Sequence, residues 1–330
     1  MVEQLDRRAW MRGALGAGFA LTLGGCVGTR QAPGALRIAA RPDVLEAGPI
    51  LHAASIWGPS RATVLGGGVP NLIDGPVPGA LDRFEGLADL AGQSETQLLR
   101  LSVANPELRI VMTVTEGLYR IVARRSEGIS GPADLKGKRI GTFVRTSAAF
   151  FVQRMLESVG LREADATIVA LRPGEMAAAL RDRRVDAIAI WEPESERAFQ
   201  MIGADAVSFG DPAIYRELYN LNTTAAVLEH PGKRRQLVAF MRQLVESCRI
   251  SAERPEIVWP LVVQSSGFDP AIVAASWPHH RFPANLPADM LDLLVVEESW
   301  IATQEGRPAR SRAAIDRLID RTVMEEVARR

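Results

Sequence analysis

Ala133-Asp134-Leu135-Lys136-Gly137-Lys138-Arg139-Ile140-Gly141-Thr142 and Val185-Asp186-Ala187-Ile188-Ala189-Ile190-Trp191-Glu192-Pro193 are the stretches whose reading decides the fold of this chain. The first is a turn in which Gly137 is available for positive φ, feeding a short strand that exits through Thr142, Arg145, Thr146 and Ser147 into a helix start. The second is an apolar run ended by an aromatic ring, a carboxylate and a rigid turn residue. Between them, residues 147–159 place Val152, Met155, Leu156 and Val159 on one helical face, and Gly160 stops the helix. Residues 167–171 then read as a strand and 173–180 as a helix. Strand and helix alternate, which predicts an α/β unit that binds ligands beyond the carboxyl ends of its strands.

The alternation also runs upstream. Residues 35–40, 62–65, 88–92 and 108–114 read as strands, with helices at 49–57 and 95–103. Two mostly parallel sheets flanked by helices are expected. Beyond His230 the chain reads as mainly helical, most strongly at 233–250, 288–303 and 310–327. A length of 330 residues suits two lobes packed along a cleft, since no Pro/Ser-rich linker separates the units.

Composition narrows the function classes. The 39 basic and 39 acidic residues balance, and no run of basic residues makes a nucleic-acid footprint. Two cysteines, Cys26 and Cys248, leave neither a disulfide framework nor a cysteine-rich metal site. His279 and His280 are adjacent and lack ligand spacing, so they read as a surface pair; no metal or cofactor is expected.

The amino-terminal residues read as an export signal. Arg7 and Arg8 precede an uncharged apolar run too short for a permanent span, and the order is that of a twin-arginine leader. The run ends in Leu23-Gly24-Gly25-Cys26, which resembles a bacterial lipobox. Cys26 is therefore the expected acylated first residue of the mature chain, and residues 26–34 a short tether. Location on the periplasmic side, held to a membrane by the lipid alone, follows as an expectation.

The two opening stretches resemble the substrate-binding proteins of ABC transporters for sulfonates, taurine, nitrate and thiamine precursors. The likeness extends over about residues 36–244, with 76–86 reading as extra sequence. It implies a two-lobed periplasmic-binding-protein type 2 fold, with lobe one formed by residues 35–116 and 226–330 and lobe two by 117–225. Crossings are expected near residues 116–119 and 222–226, with hinge closure on a small molecule and delivery to an ABC permease in the inner membrane.

Candidate ligand residues follow from position. Thr142, Arg145, Thr146 and Ser147 combine a helix N-terminus with hydroxyls and a guanidinium, suited to an anionic or strongly polar group, although a plain N-cap also accounts for them. Gln93, Ser94, Glu95 and Thr96 hold the matching place in lobe one. Arg41 follows the first strand, Gly67 and Gly68 offer close backbone approach, and Trp191 a flat wall. Glu116, Glu192 and Asn222 sit near the crossings, where the carboxylates either face ligand or pair with a residue such as Arg120. The expected function is a solute-binding receptor and not an enzyme, since the chain lacks the cysteine-rich motif of thiamine-precursor synthesis on this fold. The alternatives are a tethered ligand sensor and, behind it, an enzyme of thiamine-precursor type on the same fold.

Overall fold

The computed structural model describes residues 34–75 and 86–329. Cys26, the leader, nearly all of the tether and the extra segment at 76–85 lie outside the described residues. The strands are β1 (Leu36–Ala39), β2 (Ala62–Leu65), β3 (Leu90–Ser94), β4 (Leu108–Gly117), β5 (Arg120–Arg124), β6 (Arg139–Thr142), β7 (Thr167–Ala170), β8 (Ala187–Ile190), β9 (Ala206–Phe209), β10 (Glu217–Thr224) and β11 (His280–Arg281). They form a six-stranded sheet in the order β11-β4-β10-β3-β1-β2 and a five-stranded sheet in the order β7-β6-β8-β5-β9.

Each sheet has a three-stranded parallel part, β2-β1-β3 and β7-β6-β8. The remaining pairings are antiparallel, so the sheets are mixed rather than mostly parallel. In the five-stranded sheet the cause is β5, antiparallel to both β8 and β9, and in the six-stranded sheet it is β10, which runs between β3 and β4 with every residue buried. Its sequence, Glu217-Leu218-Tyr219-Asn220-Leu221-Asn222-Thr223-Thr224, is too polar to signal a central strand. Burial is compensated by hydrogen bonds: Thr113 Oγ1 donates to Asn220 Oδ1 at 2.8 Å, Asn222 Nδ2 to the Ala91 carbonyl at 3.1 Å, and Thr223 Oγ1 to the Asp89 carbonyl at 2.7 Å. The chain passes from β4 to β5 at residues 118–119 and returns between Phe209 and Glu217. The return expected at 222–226, and the lobe boundary at 225, therefore move earlier, because β10 already belongs to the six-stranded sheet.

Helices α1 (Gly48–Trp57), α2 (Glu95–Leu101), α3 (Ser147–Glu157), α4 (Pro173–Arg181), α5 (Glu194–Ile202), α6 (Ala225–Glu229) and α7 (Pro231–Glu253) follow in chain order. The last is capped by the His230 ring, which accepts from the Gly232 and Lys233 amides, and Pro231 occupies its first turn. Against the six-stranded sheet, α1 and α7 enclose a core that includes Leu36, Ile38, Ile50, Leu237, Phe240 and Leu244. On the five-stranded sheet, Phe151 and Leu156 of α3 and Met176 and Leu180 of α4 pack with Ile140 and Ile188.

The carboxyl-terminal third adds α8 (Trp259–Ser266), α9 (Pro270–Ser276), α10 (Met290–Gln304), α11 (Arg312–Asp316) and α12 (Thr322–Ala328). The single helix expected over 310–327 is broken. Residues 317–321 run beside β4 instead: the Ile110 amide donates to the Leu318 carbonyl at 2.6 Å, and the Asp320 amide to the Ile110 carbonyl at 2.9 Å. Behind the crossings, Tyr119, Phe150, Phe151, Tyr215 and Trp300 form an aromatic cluster with ring centroids 5.1–6.0 Å apart. It joins α3 of one lobe to α10 of the other. No helix among the described residues is long and apolar enough to cross a membrane.

Candidate functional site

A cleft of about 660 Å³ opens between the two sheets. Its walls come from the carboxyl ends of parallel strands, where loops and helix starts leave polar groups unpaired with the sheet. The six-stranded lobe contributes Arg41 after β1, Gly92, Gln93 and Ser94 of β3, and Gln97 and Arg100 on the next turn of α2. The five-stranded lobe contributes residues 143–147 after β6, Arg172 and Pro173 after β7, and Trp191 after β8. Glu46, Glu217 and Tyr219 close the base.

Seven expected residues therefore line one space: Arg41, Gln93, Ser94, Arg145, Thr146, Ser147 and Trp191. The hydroxyls at the start of α3 have separate tasks. Thr146 is the N-cap, accepting from the Ala148 amide at 3.3 Å, while Ser147 Oγ lies 3.0 Å from the Tyr119 hydroxyl. Ser94 is the N-cap of α2 by position but makes no capping bond with its side chain. Arg145 has φ +64° and an exposed guanidinium 3.5 Å from Glu305. Its carbonyl accepts from Gln97 Nε2 at 3.3 Å and Arg100 Nε at 3.1 Å. These bonds tie the lobes together at the cleft mouth. Trp191 meets Phe143 edge-on, with centroids 6.2 Å apart.

The other expected residues are engaged elsewhere. Thr142 is buried and donates to the Ala189 carbonyl at 3.0 Å. Thr96 donates to Glu297 at 2.5 Å. Glu95 is fully buried, accepting from the Tyr215 hydroxyl at 2.6 Å and the Leu218 amide at 3.0 Å. Asn222 belongs to the β10 network described above. Gly67 and Gly68 admit side chains rather than ligand: a Cβ would fall 2.3 Å from Asn71 Oδ1 at the first and 2.4 Å from Gln93 Oε1 at the second. Glu192 pairs with Arg120 at 2.7 Å, and Glu116 with Arg216 at 2.7 Å. The histidine pair is no surface pair, since His280 is buried in β11 with Nε2 3.5 Å from Glu46. No group of three or more potential metal ligands occurs among the described residues.

Sequence reasoning missed the base of the cleft. Glu46 is in a short helical turn, and Glu217 and Tyr219 are on the unrecognised strand β10. Their burial is unusual in leaving polar atoms orphaned. Both carboxylate oxygens of Glu46, Oε2 of Glu217 and the Tyr219 hydroxyl receive or donate no hydrogen bond. Burial, with Glu46 and Glu95 close by, pushes the Glu217 carboxyl well above the usual carboxylate range. Burial beside Glu46 and Glu217 also raises the Tyr219 phenol. At the rim the sign reverses, with Arg41, Arg100, Arg145 and Arg172 around the mouth. Arg41 is paired with Asp43 and Arg100 with Glu305.

Known proteins are similar to this chain in sequence and in fold. A Bacillus subtilis (strain 168) protein, provisionally named an aliphatic sulfonates-binding protein, is 29% identical over 167 residues, which are 48% of this chain and 49% of that one. The chain thus matches about half the length of this curated relative. The structure of the periplasmic aliphatic sulphonate binding protein SsuA from Escherichia coli superposes with a TM-score of 0.68 over 88% of this chain and 93% of the other, at 19% identity. The desulfurization enzyme DszB has the same fold, with a TM-score of 0.58 over 89% and 98% of the two chains, at 16% identity. The model of the family described as NMT1/THI5 like matches residues 84–256, more than half of the sequence. With the two-lobed fold of SsuA and a cleft at its strand ends, the chain belongs to the NMT1/THI5-like family.

Proposed function

We propose that this protein is the solute receptor of an ABC importer, taking a small polar organic molecule between its lobes and presenting the closed form to a permease in the inner membrane. The observation that carries this reading is the cleft itself. Residues of β3 and residues after β1, β6, β7 and β8 converge on one space bounded by an aromatic wall and by arginines from both lobes. Arg41, Gln93, Ser94, Arg145, Thr146, Ser147 and Trp191 are the contacts proposed from the sequence, and Arg100, Arg172, Glu46, Glu217 and Tyr219 join them. The relatives named for sulfonate binding support the class of function, and the passages between the sheets at 118–119 and 210–216 are natural hinge segments.

A true ligand at a hundred times its dissociation constant adds about 2.7 kcal/mol to stability. A thermal-shift panel of sulfonates, carboxylates, amines and amidines should contain compounds that raise the melting temperature by several degrees and reduce the radius of gyration in X-ray scattering. Turnover of a stabilising compound into a product would sink the receptor reading. The export expectation rests on the sequence of the leader, and the anchor on Cys26. Cys26→Ser should release the protein from the membrane fraction; a mature-sized mutant still pelleting with membranes would refute acylation.

A further inference from the structure

Most buried carboxylates of this protein have an arginine, but those at the base of the cleft do not. Glu46 is 1% exposed and Glu217 5%, and each has oxygen lone pairs that no group of the protein fills. The Tyr219 hydroxyl, 4% exposed, is likewise unpaired. Glu46 Oε1 has His280 Nε2 at 3.5 Å, an ion-pair contact through which the carboxylate holds the buried imidazole above its usual range, and the His280 ring also faces Trp277 and Phe282. Glu217 has Tyr119 and Glu95 as neighbours, and Arg41 approaches Tyr219 from the rim, where it is already paired with Asp43. Unfilled acceptors on buried carboxylates cost stability, so a folded chain that keeps three such groups around one cavity is built to have them filled.

We infer that the base of the cleft is a subsite for a nitrogen donor, and that the solute carries a protonated amine or amidine-type group which enters between Glu46, Glu217 and Tyr219 while its acceptor or anionic end faces the arginines of the mouth. This deepens the receptor reading and rests on it. Three donors of an ammonium, or the paired N–H groups of an amidinium, match the two carboxylates and the phenol oxygen. A metal ion is a poorer occupant, since no set of three potential ligands converges there among the described residues. A sulfonate without an amine would satisfy the mouth and leave the base unfilled. The subsite therefore selects aminated solutes over their parents, because a buried polar group left unpaired by the wrong ligand discriminates strongly.

Calorimetric titration with matched pairs tests the assignment: 2-aminoethanesulfonate against ethanesulfonate, and benzamidine against benzamide. The amino or amidino member should bind at least tenfold more tightly to the wild type, and Glu217→Gln and Glu46→Gln should remove that advantage. Equal binding of both members of a pair would overturn the subsite while leaving the receptor reading intact. If neither member of any pair binds, both are set aside. A ligand-free measurement stands beside these. If the carboxylates serve a ligand, Glu217→Gln and Glu46→Gln should melt at the same temperature as wild type or a few degrees higher at neutral pH. A fall of several degrees in both variants would make the two acids structural and overturn the inference whatever binds.

Discussion

Two sets of buried glutamates divide this molecule. Glu192, Glu196, Glu116 and Glu298 are each bonded to an arginine at 2.5–2.8 Å, and they lie near the crossings or beneath the carboxyl-terminal helices. Glu46, Glu95, Glu217 and Glu297 have no arginine or lysine at ion-pair distance among the described residues, and they surround the first half of β10 and the base of the cleft. Chemically identical residues thus shift in opposite directions, with Glu196 and Glu298 held below the usual carboxylate range and Glu95, Glu217 and Glu297 pushed above it. Burial alone raises a carboxyl group, and Glu196 and Glu298 escape this because guanidinium hydrogen bonds outweigh desolvation. For Glu298, Arg307 and Arg310 offset the burial penalty and hold the carboxyl down at about 2. For Glu95, burial prevails over the Tyr215 and Leu218 bonds and lifts it to about 7. The first set locks elements together through guanidinium pairs, while the second lacks them, and of its members Glu46 and Glu217 line the cleft.

The largest test of this contrast is to move a residue from the first set to the second. Arg120 opens β5 directly after the crossing and holds both Glu192 and Glu196, at 2.7 and 2.5 Å. Arg120→Met keeps the length of the side chain and strands two buried acids, which should cost about 3–5 kcal/mol. Urea unfolding measures it. A loss below about 1 kcal/mol would mean that water reaches these carboxylates, and the distinction between the sets would collapse.

The contrast also separates what the sequence could tell from what it could not. Strands 62–65 and 139–142 and the helix starts at Ser147 and Pro173 were legible because apolar spacing and turn residues are local signals. The pairing of Glu192 with Arg120 was within reach, since the two lie at the same end of neighbouring strands, Arg120 opposite Ile190. The base of the cleft was not legible. Tyr219 and Glu217 are on a strand whose Asn and Thr content mimics a loop, and Glu46 reaches them from a turn about 170 residues earlier in the chain. The same non-local pairing breaks the helix expected at 310–327, because the Ile110 backbone offers its groups to Leu318 and Asp320. Arg145 illustrates the converse: its position in the cleft was legible, but the mouth-closing bonds of its carbonyl to Gln97 and Arg100 depend on the other lobe.

A smaller effect, with the sharper sign, is the dependence of stability on pH. Glu298 falls from an ordinary 4.5 to about 2 on folding, so the stability it contributes is complete above pH 4.5 and disappears as pH drops toward 2. Glu95 moves the other way, from 4.5 to about 7. The folded protein then holds a proton that the unfolded chain has released, and stability must fall as pH rises from 4.5 to 7. Glu217 and Glu297, both pushed well above the usual range by burial and by the acids around them, add to that decline from the same starting point. Glu95→Gln removes its own share, on the order of 2–3 kcal/mol over this window. Urea midpoints measured at pH 5 and pH 7.5 should therefore lie closer together in the variant than in the wild type, whatever the substitution costs at either pH by disturbing the Tyr215 and Leu218 bonds. An unchanged gap would show that Glu95 is ionised in the folded protein throughout, with the Tyr215 hydroxyl and Leu218 amide supplying what arginine supplies to Glu298, and would return it to the stabilised set.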